Sequence, residues 1–381
     1  MKPSNISISG GPIFDGERLH NDKAALFCKG IFEALCEISE VPTGTHHVDL
    51  DGDILSPGYV DLQVNGGGGV MFNHDPSVAA LREIAQAHRT LGTTYILPTL
   101  ITDIRAKTTA AISSVCEAVE TGLPGIAGLH LEGPHLSVAR KGAHDPALIR
   151  EMDDDDLQEL LAAKESLPVL KVTIAPESVT PDQVQALTKA GVLVSLGHSD
   201  ASYATCSTYV DAGAKCATHL FNAMSQFGNR EPGIVGCALD DQRILAGLIA
   251  DGVHVHPASM RIAWNAKKQS QGIFLVTDAM AVAGTDHESF ELGGRRINRS
   301  GGQLRLQDGT LAGADLNLTQ AISVLVNMLG AGLEQALRAA IRTPAELCGL
   351  QNYALRNGNT RLSDVIRIKH DLTDVEVGID L

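Results

Sequence analysis

The chain alternates short apolar runs with amphipathic stretches over most of its middle. Eight of these runs have the length of buried strands, and the stretches between them are long enough for crossover helices. The alternation predicts parallel strands linked by helices, and the count of eight favours a (β/α)8 barrel. An open doubly wound sheet fits the same alternation and stays as the alternative. The predicted strands span residues 55–64, 93–100, 125–133, 169–177, 192–197, 216–219, 243–251 and 273–280.

The two ends of the chain have a different pattern. The segment ISISGGPIFDG near the N-terminus and residues 363–379 near the C-terminus form short runs of β character, and the second segment alternates apolar and polar residues. We predict that residues 1–55 and 349–381 form one small sheet domain, with a barrel domain of residues 56–348 inserted between them. A Gly-rich segment, residues 281–313, follows the eighth strand and is predicted to be a hairpin over the barrel mouth.

Composition and charge narrow the range of partners. The net charge of −15 and the pI of about 5.3 argue against nucleic acid or an anionic membrane as a general partner. The seven cysteines include no CxxC pair, which indicates reduced thiols. The N-terminus lacks the apolar core of a signal peptide, and no apolar run approaches about 18 residues. We therefore predict a cytoplasmic protein with no membrane span.

Candidate chemistry lies where the predicted strands end. His198 and His219 follow the fifth and sixth strands, and Glu132 ends the third. In a parallel barrel these ends form one face, so the three side chains are expected to converge. One Glu and two His leave a coordination position open for water, which is the arrangement of catalytic zinc. Asp278, after the eighth strand, is a candidate to accept the proton of that water and pass it to a leaving amine.

Each of these residues also has a structural interpretation. Glu132 could cap the turn at Gly133-Pro134, and Asp278 could cap a helix. Other histidines near the strand ends have weaker support. We expect His130 to face away from Glu132 as a structural residue, we assign no role to His135, and in the pair His254 and His256 we expect only His254 to face the pocket.

Seven motifs follow one another in an order that is more specific than any of them alone: SPGYVDLQVNGGGG, GLHLEGPHL, KGAHDP, SLGHSDA, THLFNAM, REPGIVG and VTDAM. Together they resemble the N-acetylglucosamine-6-phosphate deacetylases of the amidohydrolase superfamily, over about residues 57–313. The resemblance implies a distorted (β/α)8 TIM barrel with a small β-sandwich built from both termini. It also implies hydrolysis of N-acetyl-D-glucosamine 6-phosphate to D-glucosamine 6-phosphate and acetate, in amino-sugar catabolism.

The resemblance further implies roles for individual residues. Glu132, His198 and His219 match the metal ligands of the family. Asp278 matches its catalytic acid/base, and His144 matches the residue that helps the metal to polarise the acetyl carbonyl. Arg230 is expected to reach the site of a neighbouring subunit, which implies a homodimer. The positions that match substrate-binding residues are Gln63, Ala143, His144, Asn222, Ala223, Arg230, His254, Thr310, Leu311 and Ala312.

The first strand departs from the wider superfamily. Most amidohydrolases carry His-x-His there and hold two metal ions, whereas this chain has Gln63 and Asn65. An amide is a poor ligand for a second transition metal. We therefore expect one divalent metal ion per subunit, with zinc as the first choice and iron as the alternative.

Two other functions remain open. One is a related amidohydrolase, such as an N-acetylgalactosamine-6-phosphate deacetylase, because the choice of epimer rests on a few pocket contacts. The other is a catalytically silent binding protein on the same scaffold. Such a protein is expected to lack a metal ligand or the strand-eight acid, yet Glu132, His198, His219 and Asp278 are all present.

Overall fold

The computed structural model describes residues 5–267, 271–351 and 353–378. Residues 379–381, which end the predicted sheet domain, and residues 1–4 lie outside this part of the chain. The described chain begins with short strands and one 3-10 turn, Ile38–Glu40. These strands are β1 (Asn5–Ser9), β2 (Ile13–Phe14), β3 (Leu19–His20), β4 (Lys23–Cys28), β5 (Ile31–Glu37), β6 (His46–Asp49) and β7 (Ile54–Pro57).

Eight parallel strands form the central sheet, and each lies beside the next one along the chain. The first is β8 (Tyr59–Val64), and a short antiparallel pair, β9 (Gly66–Gly67) and β10 (Val70–Met71), follows it. The other seven strands are β11 (Thr93–Ile101), β12 (Leu129–Glu132), β13 (Leu170–Ile174), β14 (Leu193–Leu196), β15 (Cys216–Ala217), β16 (Leu245–Leu248) and β17 (Ile273–Leu275).

Helices connect the strands and cover the outside of the sheet. Several begin at a capping side chain: Ser77 accepts a hydrogen bond from the N–H of Ala80, and Asp153 and Thr180 form capping boxes. The helices are α1 (Val78–Thr90), α2 (Arg105–Glu120), α3 (Asp154–Ser166), α4 (Pro181–Lys189), α5 (Tyr203–Asp211), α6 (Gly233–Asp240), α7 (Pro257–Ala266), α8 (Leu318–Ser323), α9 (Leu333–Ala340) and α10 (Arg342–Leu347). A π-helical segment, Val324–Met328, continues α8.

Contacts between the first and last strands close the sheet into a barrel. The N–H of Asn65 donates to the carbonyl of Ala279 at 2.9 Å, and the N–H of Asp278 donates to the carbonyl of Gln63 at 3.1 Å. Below them, the buried carboxylate of Asp61 accepts hydrogen bonds from the N–H and the hydroxyl of Thr277. The closed barrel confirms the predicted fold and excludes the open doubly wound sheet.

The segment after the eighth strand is larger than the predicted hairpin. It forms a four-stranded antiparallel sheet of β18 (Ser289–Leu292), β19 (Arg295–Ser300), β20 (Gln303–Leu306) and β21 (Leu311–Ala314). Leu292, Ile297 and Leu304 pack with Met280 in a small core of their own. We refer to β18–β21 as the insertion sheet.

Strands from both ends of the chain form two further sheets. One has the order β5-β4-β1-β6. The other includes β22 (Val365–Ile368) and β23 (Val375–Val377) and has the order β23-β22-β7-β2-β3. Apolar residues of these strands, such as Ile8, Phe27 and Val365, share one core, as the predicted sandwich of both termini requires. The predicted boundary between residues 55 and 56 lies within β7, and the division of the chain into domains stays a prediction.

None of the helices within the described residues combines the length and the hydropathy that crossing a membrane requires.

Candidate active site

Three buried side chains meet at the carboxyl ends of β12, β14 and β15. Glu132 is the last residue of β12, and His198 and His219 stand two residues after the ends of their strands. Oε1 of Glu132 lies 3.1 Å from Nε2 of His198 and 3.0 Å from Nε2 of His219. The two Nε2 atoms are 3.0 Å apart. The barrel therefore brings together the three residues predicted as metal ligands.

The contact made by Nδ1 of His198 shows which of its ring nitrogens carries the proton. Nδ1 is 2.8 Å from the carbonyl oxygen of Arg140, which can only accept, so Nδ1 carries the proton. Nε2 then presents a lone pair to the carboxylate of Glu132, and two acceptors at this distance are favourable only with a cation between them. The group fits a divalent metal, because imidazole and carboxylate are ligands that zinc binds. Among the described residues, no other group of His, Cys, Asp and Glu has this spacing.

The electrostatics of the group also favour a positive charge at its centre. Burial opposes ionisation of Glu132, but the close contacts of its carboxylate with the imidazoles of His198 and His219 hold the pKa of the carboxyl well below its usual value. Burial lowers the pKa of His219, and the contact with Glu132 outweighs this effect and raises it. Nδ1 of His219 is buried and has no hydrogen-bond partner in the described chain.

Asp278 lies beside this group and is held by two side-chain amides. Nδ2 of Asn65 donates to Oδ1 of Asp278 at 2.7 Å. Nε2 of Gln63 lies 3.2 Å from the same oxygen and 3.2 Å from Oε2 of Glu132. Burial, followed by the charge of Glu132, raises the pKa of Asp278. A carboxyl with a raised pKa is suited to take up and release a proton near neutral pH.

The backbone at the strand ends adopts conformations that are unusual for residues other than glycine. His198, His219 and Asp278 have φ angles of 47°, 31° and 51°, and Ala223 has 47°. Such left-handed conformations cost free energy and persist only where the surroundings impose them. They turn the chain sharply after each strand and direct these side chains into the barrel mouth.

His144 reaches the site from the loop that follows β12. Its ring packs edge-on against the ring of His198, with 4.4 Å between the centroids. Its Nδ1 contacts Thr102, at the end of β11. Burial, and to a lesser degree the neighbouring His198, lowers the pKa of His144 to about 3. The imidazole is therefore neutral near pH 7.

Asn222, Ala223 and His254 lie on the loops that follow the sixth and seventh strands. The side chain of Asn222 donates to the carbonyl of His219 at 3.3 Å. Nδ1 of His254 lies 2.6 Å from Oδ2 of Asp251, which fixes the orientation of the ring. All three residues predicted to bind substrate are partly exposed, as a contact with substrate at the barrel mouth requires.

The remaining predicted substrate residues lie on or beside the insertion sheet, which contacts the end of the eighth strand. Leu311 and Ala312 belong to β21, Thr310 precedes it, and the N–H of Ala314 donates to the carbonyl of Asp278 at 3.1 Å. On β19, the guanidinium of Arg295 donates to the carbonyl of Ala143 at 2.7 Å. The sheet thus fastens both the His144 loop and the end of the eighth strand.

Arg230 is a predicted site residue without a partner in the described part of its own chain. It is exposed and makes no hydrogen bond or ion pair with the described residues. Its free guanidinium leaves the predicted reach into a neighbouring subunit as a proposal.

The other histidines have structural positions. The prediction that His130 faces away from Glu132 is wrong, because residues two apart on a strand point to the same side. His130 lies beneath Glu132 inside the barrel and bonds to Thr99 at 3.2 Å and Thr173 at 2.8 Å. His135 contacts the carbonyl of Arg150, and His256 caps α7 through the N–H of Ala258.

Sequence reasoning missed three supporting groups: Thr102 beside His144, the carbonyl of Arg140 beside His198, and Asp251 beside His254. Thr102 could have been found, because it follows the second strand as the other site residues follow theirs. The contact of Arg140 could not have been found, because it is made by the backbone carbonyl, which every residue carries.

Comparisons with known proteins agree with this geometry. Residues 54–354 match the Amidohydrolase family. An N-acetylgalactosamine-6-phosphate deacetylase of Shewanella sp. (strain ANA-3) is 45% identical over 300 residues, which cover 79% of this chain and 75% of that protein. An N-acetylglucosamine-6-phosphate deacetylase of Haemophilus influenzae is 35% identical over 334 residues, which cover 87% and 86%.

A solved structure shows the same fold along the whole chain. The N-acetylglucosamine-6-phosphate deacetylase from Pasteurella multocida superimposes with a TM-score of 0.90 at 32% identity and covers 97% of both chains. The resemblance seen in the motifs is thereby confirmed. The chain belongs to the amidohydrolase family, in the group that includes the N-acetylglucosamine- and N-acetylgalactosamine-6-phosphate deacetylases.

Proposed function

We propose that this protein hydrolyses the acetamide of N-acetyl-D-glucosamine 6-phosphate and releases D-glucosamine 6-phosphate and acetate. The observation that carries the proposal is the convergence of Glu132, His198 and His219 next to the carboxyl of Asp278. The choice of substrate class is supported by relatives that are similar over most of the chain and are named as deacetylases of amino-sugar 6-phosphates. A product of this kind feeds amino-sugar catabolism.

Glu132, His198 and His219 would hold one divalent metal ion, with zinc as the first choice and iron as the alternative. When bound, such an ion acts as a Lewis acid that lowers the pKa of water and polarises a carbonyl. Gln63 stands where a further ligand would be needed for a second ion, and its amide N–H groups face Glu132 and Asp278 instead. This orientation supports one ion per subunit.

Asp278 moves the proton. Its carboxylate takes a proton from the attacking water and then gives it to the amine as the C–N bond breaks, because an unprotonated amine is a poor leaving group. Asn65 and Gln63 both donate to Oδ1 of Asp278, which leaves Oδ2 for this exchange. His144 is neutral and hydrogen-bonds the acyl oxygen as negative charge develops there.

The phosphorylated sugar is held around the barrel mouth. Arg230 and His254 are proposed to bind the phosphate, and a guanidinium can do so through two parallel hydrogen bonds. Asn222 and Ala223 are proposed to hold the sugar from one side, and Thr310, Leu311 and Ala312 from the other. Gln63 and Ala143 complete the proposed substrate contacts near the acetyl group.

The proposed assembly is a homodimer in which Arg230 serves the neighbouring site. The exposure of Arg230 and its lack of a partner among the described residues support this arrangement. All seven cysteines are free thiols, which supports a cytoplasmic location.

N-acetylgalactosamine 6-phosphate is a second candidate substrate. It is favoured by one observation, the 45% identity to a deacetylase of that epimer. The same metal group and the same acid serve either epimer, so the difference lies in contacts to the sugar ring.

An acetate-release assay on the zinc-loaded protein tests the proposal. We expect turnover of N-acetylglucosamine 6-phosphate to exceed that of unphosphorylated N-acetylglucosamine, because the phosphate provides binding energy. Equal kcat/KM for both sugars would contradict the phosphate assignment. A higher kcat/KM for N-acetylgalactosamine 6-phosphate than for the glucosamine epimer would select the second candidate.

A further inference from the structure

Thr102 makes two contacts with one nitrogen of His144. The backbone N–H of Thr102 donates to Nδ1 at 3.3 Å, and its hydroxyl lies 2.8 Å from the same atom. A backbone N–H can only donate, so Nδ1 must be the unprotonated ring nitrogen. The hydroxyl then also donates to it. Both side chains are buried, which keeps bulk water from competing for this nitrogen.

Thr102 is itself held firmly in place. The side chain of Asn73 accepts from the N–H of Ile101 and donates to the carbonyl of the same residue, each at 3.0 Å. On the other side lies Gly133, whose φ is +92°. A Cβ there would lie 2.3 Å from the hydroxyl oxygen of Thr102. A residue without a side chain is thus required next to Glu132 to leave room for the threonine.

The tautomer of His144 follows from these contacts. With Nδ1 accepting, the proton of the neutral ring lies on Nε2. This Nε2 makes no hydrogen bond within the described residues, while the ring packs against metal-site residue His198. The N–H of Nε2 is therefore available as a donor beside the predicted metal ligands, where the acyl oxygen of the substrate is expected.

We propose that Thr102 is a positioning residue that fixes His144 as an N–H donor to the acyl oxygen and prevents it from acting as a base. The role rests on the proposed deacetylation, but the tautomer can be measured without any turnover. A merely structural threonine would support packing and would have no influence on the ring protons of His144.

Nitrogen NMR on the full-length, zinc-loaded protein labelled with 15N-histidine reads the tautomer directly. The signals of His144 are assigned by their loss in His144→Gln. We expect a protonated Nε2 and an unprotonated Nδ1 at neutral pH. A protonated Nδ1 would overturn the proposal, whether or not the protein proves to be a deacetylase.

Kinetics on two variants tests the role of the hydroxyl. Thr102→Val keeps the branched shape and removes one neutral hydrogen bond, so kcat is expected to fall on the order of 10-fold with KM little changed. Thr102→Ser restores the hydroxyl and is expected to recover most of the rate. Thr343→Val, at a buried position in α10, is the matched control and is expected to leave kcat unchanged. A Thr102→Val enzyme with wild-type kcat, or a Thr102→Ser enzyme as impaired as Thr102→Val, would contradict the proposal.

Discussion

At the residue scale, one amide lies between two carboxylates of the site, the buried Glu132 and the half-buried Asp278. Gln63 donates to Glu132 and to Asp278 at 3.2 Å each, so its amide reduces the repulsion between them. The two acids thereby keep different surroundings. Glu132 faces two imidazoles and stays ionised, whereas Asp278 has a raised pKa and is free to exchange a proton.

This separation predicts one tightly held metal ion per chain. His219→Ala is expected to abolish metal binding, because it removes one of three ligands. His256→Ala, which removes only a helix cap, is the matched control and is expected to keep the metal. Elemental analysis of the purified variants provides the measurement. Two ions per chain in the wild-type protein would show that Gln63 and Asn65 do not prevent a second site.

Removal of the proton carrier is expected to stop the chemistry without disturbing the metal. Asp278→Asn keeps the size of the side chain but cannot take up the proton, so kcat should fall by on the order of 10²–10⁴. Metal content and the circular dichroism spectrum are expected to remain unchanged. The same change at exposed Asp286, which precedes β18, is the control. Near-normal kcat in a metal-loaded Asp278→Asn enzyme would show that the base lies elsewhere.

At the scale of strands and helices, the sequence predicted the barrel well and the loops poorly. Apolar runs and their spacing placed all eight strands, because burial on both faces leaves a strong signal. Strand lengths were overestimated where apolar residues continue into loops: the run 243–251 contains a strand of only Leu245–Leu248. The insertion sheet was underestimated because its exposed strands, such as Arg295–Ser300, carry many polar residues. The partners of His144 and His198 come from distant loops, which no local pattern reports.

A buried carboxylate joins strands from the two ends of the chain and predicts a pH dependence. Burial alone would raise the pKa of Asp53, but hydrogen bonds from Arg367, His370 and Lys369 outweigh it and lower the pKa to about 2. Because the folded pKa lies below the unfolded value of about 4, the stabilisation is present above about pH 4 and is lost as the pH falls toward 2.

Asp53→Asn is therefore expected to lower the free energy of unfolding by roughly 1–3 kcal/mol at pH 6, since it weakens buried hydrogen bonds to charged partners. The difference from the wild type should shrink below about pH 4. Urea unfolding between pH 3 and pH 6 measures both effects. Asp22→Asn is the control, because that exposed side chain makes no hydrogen bond or ion pair with the described residues. A deficit that stays constant down to pH 3 would argue against the assigned pKa.

At the scale of the whole molecule, the proposed catalytic unit is larger than one chain. Arg230 is exposed and has no hydrogen-bond or ion-pair partner among the described residues, and Phe227, three residues before it, is 66% exposed. A positive side chain beside an exposed aromatic ring is typical of a protein interface. In a protein with a net charge of −15, a guanidinium supplied by a second subunit would be a local attraction for a phosphate.

Arg230→Ala is expected to raise KM, because it removes the bond between the guanidinium and the phosphate. The lost binding is roughly 2–3 kcal/mol if the guanidinium and the phosphate are desolvated. Mixed dimers test which subunit it serves. Arg230→Ala subunits and Asp278→Asn subunits are unfolded, mixed and refolded together. If Arg230 acts in the neighbouring site, each mixed dimer has one complete site with a wild-type KM.

The control mixes wild-type subunits with subunits that carry both substitutions. Here action in the neighbouring site leaves no complete site in a mixed dimer. A wild-type KM for the mixed dimer isolated from the control mixture, and its absence for the mixed dimer isolated from the first, would show that Arg230 acts within its own subunit.

The pairing of β7 with β22 also sets an order of events during translation. Asp53 and Arg367 bond across 314 residues of sequence, whereas each barrel strand pairs with the next one to be synthesised. The ribosome thus releases every barrel strand before β22, and the sheet of both termini can close only after β22 has been synthesised. Until then β7 lacks one strand partner, and Leu55 lacks the apolar neighbours that the C-terminal segment adds to its core.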